Sequence, residues 1–390
     1  IRDTDRSRGL GDVYKRQVGK LGVILSIILF CIGIGVYSFT QLSLVDKGKD
    51  IHLAAFVPRN CMGVLETDNF DYFMNEFPQT AYAGQLDTLQ RAGLLKSVLG
   101  GLSRYTDSPA HDWSNQVNRM MISFHGPGSS RNLVIYFQMN NSQEAFVKSV
   151  LQRTGHSFEA RKEKYRGEDI WVYPVDNGDF VSAYMEDGLL ALSYQKRLIE
   201  QVIDASKDQT SLDTDESFKA IYSPKSSNFM TLYTHSASVP LLDKPESTQV
   251  WSEFDIHLNS EVLYLSGFMY EPDSCFQSSL LRLEQVKPSY ESESMLIVSG
   301  QSRIDSCVSQ IASISYHSLF DECISNLSRD ASYMMVADMD KVAGQIDKYA
   351  PYLPLFIKDH IYLFRSFILS VQITKVGNKL SHIFVFTYKE

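Results

Sequence analysis

The hydrophobic pattern begins with one long apolar run near the start of the chain. Leu21–Val45 contains no charged residue, and its core, Leu21–Phe39, is apolar on every face of a helix. Nineteen residues at about 1.5 Å each span about 29 Å, which is the thickness of a bilayer's hydrocarbon core. The pattern predicts one N-terminal transmembrane helix within an anchor at residues 18–45. A cleaved signal peptide and a lipoprotein signal at Cys31 are the two alternatives.

Further along the chain, apolar and polar residues alternate with period two in four segments, which is typical of β-hairpins. Each segment is interrupted by turn residues, and the Asp187-Gly188 dipeptide is the strongest of these signals. The predicted hairpins are Met120–Met139, Phe180–Tyr194, Phe254–Met269 and Ser366–Tyr388.

Short apolar strands followed by a polar cap and a helical pattern begin at Cys61, Phe229, Met295 and Ser332. At three of these places, Cys61, Phe229 and Ser332, a predicted hairpin follows. The recurrence predicts an α+β fold in which the transmembrane helix is followed by tandem strand–helix–hairpin modules with antiparallel sheets. Further helices are predicted at Gln143–Arg153 and Gln195–Ala205. A polar, proline-containing stretch near residues 240–250 predicts a first α+β domain at 46–245 and a second at 246–390.

Residues 1–17 resemble a translated synthetic oligonucleotide. Asp12–Gln17 can be encoded by GAT GTG TAT AAG AGA CAG, a transposase end used to build sequencing libraries, and Ser7–Gly11 fits the adapter arm before it. We expect residues 1–17 to be a sequencing-adapter artefact and exclude them from the fold prediction. The alternative is a natural basic tail.

The amino-acid composition argues against some classes of function. The chain has 37 Lys and Arg against 46 Asp and Glu, so its formal net charge is −9, which repels nucleic-acid phosphates. The five cysteines include no CxxC pair, which argues against a zinc or thioredoxin-like site. Cys307 and Cys323 either form a disulfide or remain separate buried thiols, and the second interpretation is favoured.

The sequence contains no recognised motif for catalysis or metal binding. His235 and His257 alternate with apolar residues on predicted strands, as histidines on the polar face of a strand do. Ser299–Ser302 follows a strand, as a nucleophile turn does, but a cap for a helix from Arg303 is the simpler interpretation. The acidic groups at Asp213–Glu216 and Asp338–Asp340 lack calcium-loop spacing and fit helix starts. We therefore predict no catalytic residues, no metal ligands and no cofactor.

Three stretches carry a family resemblance: Asp187–Ala205, Ser211–Ile221 and Trp251–Met269. With the anchor before them, they resemble an uncharacterised family of membrane-anchored extracytoplasmic proteins common in the Bacteroides group, a domain of unknown function. The similarity covers most of residues 54–388. The resemblance implies a bacterial cell-envelope location, and it supplies no catalytic residues.

Together these patterns predict a single-pass protein of the bacterial inner membrane whose C-terminal part is extracytoplasmic. The expected function is that of a non-catalytic binding module of the cell envelope. Its predicted partners are the membrane, through Leu21–Phe39, and an envelope protein, peptide or glycan, but not nucleic acid. The alternatives are a scaffold within an envelope assembly and a hydrolase with an unrecognised site.

Overall fold

One continuous antiparallel sheet organises the molecule. The computed structural model describes residues 51–67, 79–83, 119–126, 131–139, 161–174, 180–186, 188–222, 230–235, 251–269, 289–291, 293–313, 318–359, 361–377 and 379–389. All fifteen strands of this part belong to the sheet. Their order is β11-β12-β13-β14-β15-β10-β9-β8-β1-β2-β3-β7-β6-β5-β4, numbered along the chain.

The strands fall into two halves of the chain. The first half contributes β1 Gly63–Thr67, β2 Arg119–Phe124, β3 Leu133–Gln138, β4 Arg161–Tyr165, β5 Glu168–Pro174, β6 Phe180–Glu186 and β7 Leu189–Ser193. The second half contributes β8 Met230–Thr234, β9 Ser252–Leu258, β10 Val262–Met269, β11 Ser289–Glu291, β12 Met295–Ser299, β13 Tyr333–Asp338, β14 Phe367–Val376 and β15 Lys379–Tyr388. The halves join where β1 pairs with β8, with Leu65 opposite Leu232.

Short helices lie between the strands. The α-helices are α1 Lys196–Asp208, α2 Glu216–Ile221, α3 Gln301–Ala312, α4 Leu319–Ser325, α5 Met339–Ala343, α6 Ile346–Tyr349 and α7 Leu355–Asp359. The 3-10 helices are η1 Leu53–Ala55, η2 Leu212–Thr214, η3 Ala350–Tyr352 and η4 Ile361–Leu363.

All four predicted hairpins are confirmed, as β2–β3, β6–β7, β9–β10 and β14–β15. Three of their turns contain a glycine in the left-handed region, with φ of 62° at Gly126, 90° at Gly188 and 61° at Gly377. Glycine reaches these angles without a steric penalty, which is why the turn signals were reliable. The helix predicted at Gln195–Ala205 is confirmed as α1, whereas Gln143–Arg153 lies outside the described residues.

The prediction of an α+β fold built from tandem modules with their own sheets is wrong. The repeating strands continue a single sheet, because β1 and β8 satisfy their backbone hydrogen bonds through each other. The two halves follow similar strand orders, β1-β2-β3-β7-β6-β5-β4 with seven strands and β8-β9-β10-β15-β14-β13-β12-β11 with eight. The third predicted copy, from Ser332, is an internal part of the second half.

The predicted membrane helix at Leu21–Phe39 lies outside the described residues. Within the described part, no helix has both the length and the apolar character needed to cross a bilayer. The proposed division at 245/246 also falls among residues outside the description. It stays a prediction, although the sheet continues from β8 into β9 across it.

Each side of the sheet has its own buried side chains, since successive strand residues point to opposite sides and paired residues to the same side. We call the side that carries Met121 and Tyr136 face A, and the side that carries Ile122 and Ile135 face B. In the first half, α1 and α2 bury face A. In the second half, α3 and α4 cover face A of β12 to β14, and α5 to α7 cover face B.

Helix α1 illustrates why these segments are helical and where they end. Its apolar residues recur with the helical period, so one stripe faces the sheet: Leu198, Ile199, Val202, Ile203 and Ala205 are buried. The helix stops at Gln209, which adopts a left-handed conformation and donates its backbone N–H to the Ala205 carbonyl. Contacts with β3, β5, β6 and β7 hold it against face A.

Helix α4 begins with a capping box, which gives a first testable prediction. The Ser318 hydroxyl accepts a hydrogen bond from the Asp321 backbone, and the Asp321 carboxylate accepts one from the Ser318 backbone. Replacing Ser318 by alanine is expected to lower the free energy of unfolding by about 1 kcal/mol, measured by urea denaturation. Ser325→Ala at the far end of the same helix is the control. An equal loss in both variants would contradict the prediction.

Candidate binding surface

Three neighbouring strands in the second half, β9, β10 and β15, have no described helix over their face A. Every face-A side chain that the structure describes on these strands is half-buried or exposed. We call this set the channel floor: Glu253, Asp255, His257, Val262, Tyr264, Ser266, Phe268, Ser381, Ile383, Val385 and Thr387. Phe268 has 42% of its surface exposed, which is unusual for a phenylalanine in the middle of a sheet.

The opposite side of the same strands is packed as a core. Phe254, Leu265, Phe384 and Phe386 point to face B and are buried in the largest cluster of the second half. The Phe254 and Phe384 rings meet edge to face at 5.2 Å. The three strands are therefore held firmly from one side, and their other side is accessible.

Covered regions border the channel floor on both sides. On the β8 side, Phe218 of α2 packs edge to face on Trp251 at 5.1 Å and on Tyr233 at 5.5 Å. On the β14 side lies α4, which contacts β13 and β14. Since neighbouring strands lie about 4.8 Å apart, β9 and β15 are about 10 Å apart across the floor. This spacing matches the diameter of one α-helix.

The channel floor combines apolar and acidic chemistry. Tyr264, Ile383 and Val385 give it a central apolar strip, and His257 packs against Tyr264 with ring centroids 6.0 Å apart. Both carboxylates lie on β9, where Asp255 accepts a hydrogen bond from the Thr231 hydroxyl at 3.2 Å. None of the eleven floor residues is Lys or Arg. The surface suits recognition of an apolar group that carries positive charge along one flank.

A second polar cluster lies on face A of β2 and β3 and belongs to the core. The Ser123 hydroxyl lies 2.7 Å from His125 Nε2 and 3.2 Å from the Tyr136 hydroxyl. All three side chains are buried, and burial lowers the pKa of His125 to about 4 and raises the pKa of Tyr136. His125 is therefore neutral at physiological pH, and the cluster is a buried, hydrogen-bonded part of the core.

A shallow depression of about 270 Å³ lies beside α1, with Arg59 and Asp204 on its rim. Its charged groups are engaged with neighbours in the described structure. Arg59 pairs with Asp215 at 3.2 Å, and Asp204 accepts hydrogen bonds from Tyr165 at 3.0 Å and from Arg166 at 2.7 Å. These contacts give the depression a structural role in joining the β4–β5 hairpin to α1.

The histidines and the Ser299 turn singled out in the sequence lie apart from one another. His235 makes a 2.9 Å hydrogen bond to the Cys61 carbonyl, and His257 is exposed on β9. Ser299 is buried in β12, and Gly300, with φ of 86°, precedes α3. A helix does follow this turn, but it begins at Gln301 rather than at Arg303, and no side chain caps it. Among the described residues, no group of three or more His, Cys, Asp or Glu side chains is placed to hold a metal ion.

Both acidic groups mark helix starts, as expected. Asp215 caps α2 by accepting from the backbone N–H groups of Ser217 and Phe218. Asp338 caps α5 in the same way and also pairs with Lys389 at 2.6 Å.

The two cysteines singled out as a candidate pair, Cys307 and Cys323, carry free thiols on the neighbouring helices α3 and α4. Burial raises the pKa of both thiols, which disfavours the reactive thiolate. Neither thiol therefore has the lowered pKa of a nucleophile.

Sequence reasoning missed the channel floor. A trace of it is present in the second strand of the last hairpin. One face of that strand carries both polar and apolar residues, Ser381, Ile383, Val385 and Thr387, whereas the residues between them on the other face are mostly apolar. Such a face looks like an ordinary solvent-facing surface until its neighbours are known to be covered by helices.

No model of a known protein family and no curated protein matches the sequence. Among solved structures, the chain is similar to TP0453 in crystal forms III and IV, at 8% and 10% identity, each with a TM-score of 0.29. The matches cover 62% and 61% of this chain and 90% and 87% of TP0453. Similarity at this level carries no argument about the fold or function of the chain.

Proposed function

We propose that this protein is a non-catalytic binding module that holds a partner against the channel floor. The observation that carries the proposal is the accessible face A of β9, β10 and β15, bordered by helix-covered sheet on either side. A half-exposed apolar strip with acidic residues beside it fits a surface that is covered in a complex. Its rigid backing by the face-B core supports recognition without large rearrangement.

The same proposal places the module at the bacterial cell envelope, attached to the inner membrane through Leu21–Phe39, with the sheet on the extracytoplasmic side. Support for this location comes from the length and apolar character of that segment and from the family resemblance. Protease treatment of intact spheroplasts, with an epitope after Glu390, tests it. Digestion of the epitope is expected, and full protection until lysis would contradict the location.

Site-specific photo-crosslinking in the native host tests the binding function. A photoreactive amino acid replaces Ser266 at the centre of the floor, and replaces Ser309, an exposed residue of α3, in the control. We expect a discrete crosslinked species from position 266 that is missing from position 309. Identical patterns, or no crosslink at 266 in a folded protein, would rule out the floor as a binding surface.

A further inference from the structure

The two halves of the sheet can be compared position by position, because their central strands pair symmetrically. Leu65 pairs with Leu232, and outward from them lie Ile122 on β2 and Phe254 on β9. Continuing outward, the register matches β3 with β10 and β7 with β15, which makes Leu192 equivalent to His382. Each floor strand therefore has a counterpart in the first half.

At seven equivalent face-A positions the two halves differ in burial. The seven first-half positions are buried: Met121, Ser123, His125, Val134, Tyr136, Ala191 and Ser193. Their second-half counterparts are all half-buried or exposed: Glu253, Asp255, His257, Ser266, Phe268, Ser381 and Ile383. The first half thus shows what the same surface looks like when an amphipathic helix covers it.

We propose that the occupant of the channel floor is an amphipathic α-helix of a partner protein, with an apolar stripe on the floor and basic residues beside Glu253 and Asp255. This inference rests on the proposed binding function and names the class of partner. In the first half α1 covers β3 and β7, the counterparts of β10 and β15, with a buried stripe that runs from Leu198 to Ala205.

The backbone of the floor favours a helix over an extended segment. β10 lies between β9 and β15 and is paired with both, and β9 and β15 are paired on their outer sides with β8 and β14. No strand edge is therefore presented on the floor, so an added strand would leave its own backbone groups unsatisfied. A helix makes its backbone hydrogen bonds internally and would contact the floor through its side chains alone. The floor is also about as wide as one helix.

The length also agrees with a helix like α1. Val262 to Phe268 spans six residue steps on β10, or about 20 Å at 3.3 Å each. A helix of 13 residues, the length of α1, has nearly the same length at 1.5 Å per residue. A ligand of three to four turns therefore fits between the two covered regions.

The residues that differ between equivalent positions of the two halves indicate that the partner helix binds reversibly. Glu253 stands where the first half has Met121, and Ser266 stands where it has Val134. A floor that is more polar than its buried counterpart tolerates water when the partner is absent. The carboxylates lie on one side of the floor, which is why the helix is expected to carry Lys or Arg along that flank.

Two labelled helical peptides test the inference against the full chain in detergent by fluorescence anisotropy. They share one leucine and isoleucine stripe and differ only in a lysine or a glutamate flank. The lysine peptide is expected to bind at least tenfold more tightly. Asp255→Lys is expected to abolish that preference, whereas Asp305→Lys on α3, an exposed site away from the floor, leaves it unchanged.

Ser266→Trp, which fills the centre of the floor, is expected to lower the affinity for the lysine peptide at least tenfold without lowering the melting temperature of the protein. Equal affinity for both peptides, or insensitivity to Asp255→Lys and Ser266→Trp, would overturn the helix inference. A crosslink from Ser266 to an extended segment, or to a second copy of this chain, would also overturn it and leave the binding function standing. Loss of the crosslink itself would instead remove the binding function.

Discussion

Replacing His382 by leucine is expected to stabilise the protein and to reduce the loss of its unfolding free energy at acidic pH. His382 is 3% exposed, lies between Ile373 and Gly267 on face B, and has no hydrogen-bond partner for either ring nitrogen among the described residues. Burial lowers the pKa of His382 to about 3. The first half carries Leu192 at the equivalent position, so leucine is compatible with this site of the sheet.

The direction of the pH effect follows from proton linkage. Above about pH 6.5 the histidine is neutral in both states and adds no pH dependence. As the pH falls from about 6.5 toward the folded-state pKa, the unfolded chain binds a proton that the folded protein excludes, so stability is lost. Between pH 7 and pH 4.5 this loss is about 2–3 kcal/mol, and His382→Leu is expected to remove it.

Urea denaturation at a series of pH values measures this difference. At pH 7.5 the variant is also expected to be at least as stable as the natural chain, since an unpaired buried polar group is removed. His257→Gln, at an exposed position of β9, is the control and should retain the original acid slope. An unchanged slope in His382→Leu would show that this histidine does not govern the acid sensitivity.

Gly267→Ala is expected to destabilise the protein by about 3 kcal/mol or more. A Cβ at position 267 would lie 1.5 Å from the Glu253 carbonyl oxygen and 3.0 Å from the Phe254 Cα. Those atoms are backbone, so β9 and β10 would have to separate. The separation would weaken the pairing on which both the face-B core and the channel floor depend.

Thermal and urea denaturation of Gly267→Ala measure this cost, with Gly344→Ala as the matched control. Gly344 has a φ of −69°, and a Cβ there would meet its nearest neighbour, the Lys341 carbonyl oxygen, at 3.5 Å. Alanine at 344 is therefore expected to be neutral or stabilising by up to about 1 kcal/mol. Equal stability of the two variants would show that the close approach of β9 to Gly267 is not structurally important.

The sequence alone located the local elements because their signals are local. The Phe180–Tyr194 hairpin was predictable from period-two alternation around Asp187-Gly188, since glycine at that turn selects one backbone geometry. Helix α1 was predictable from its apolar stripe, and the starts of α2 and α5 from the carboxylates of Asp215 and Asp338. These features depend on residues only a few positions apart.

Tertiary structure decided how the elements assemble. The pairing of Leu65 with Leu232 turns two similar halves into one sheet, and no local pattern specifies contacts across so many residues. The channel floor was invisible for the same reason. In the sequence, Ile383 and Val385 look like any other half-exposed strand residues. The difference appears only in the folded sheet, where α1 and α2 cover face A of the first half and face A of β9, β10 and β15 stays accessible. Burial is a property of neighbours brought together by folding, so the sequence determined the strands, the turns and the caps, and only the folded sheet determined which face can bind.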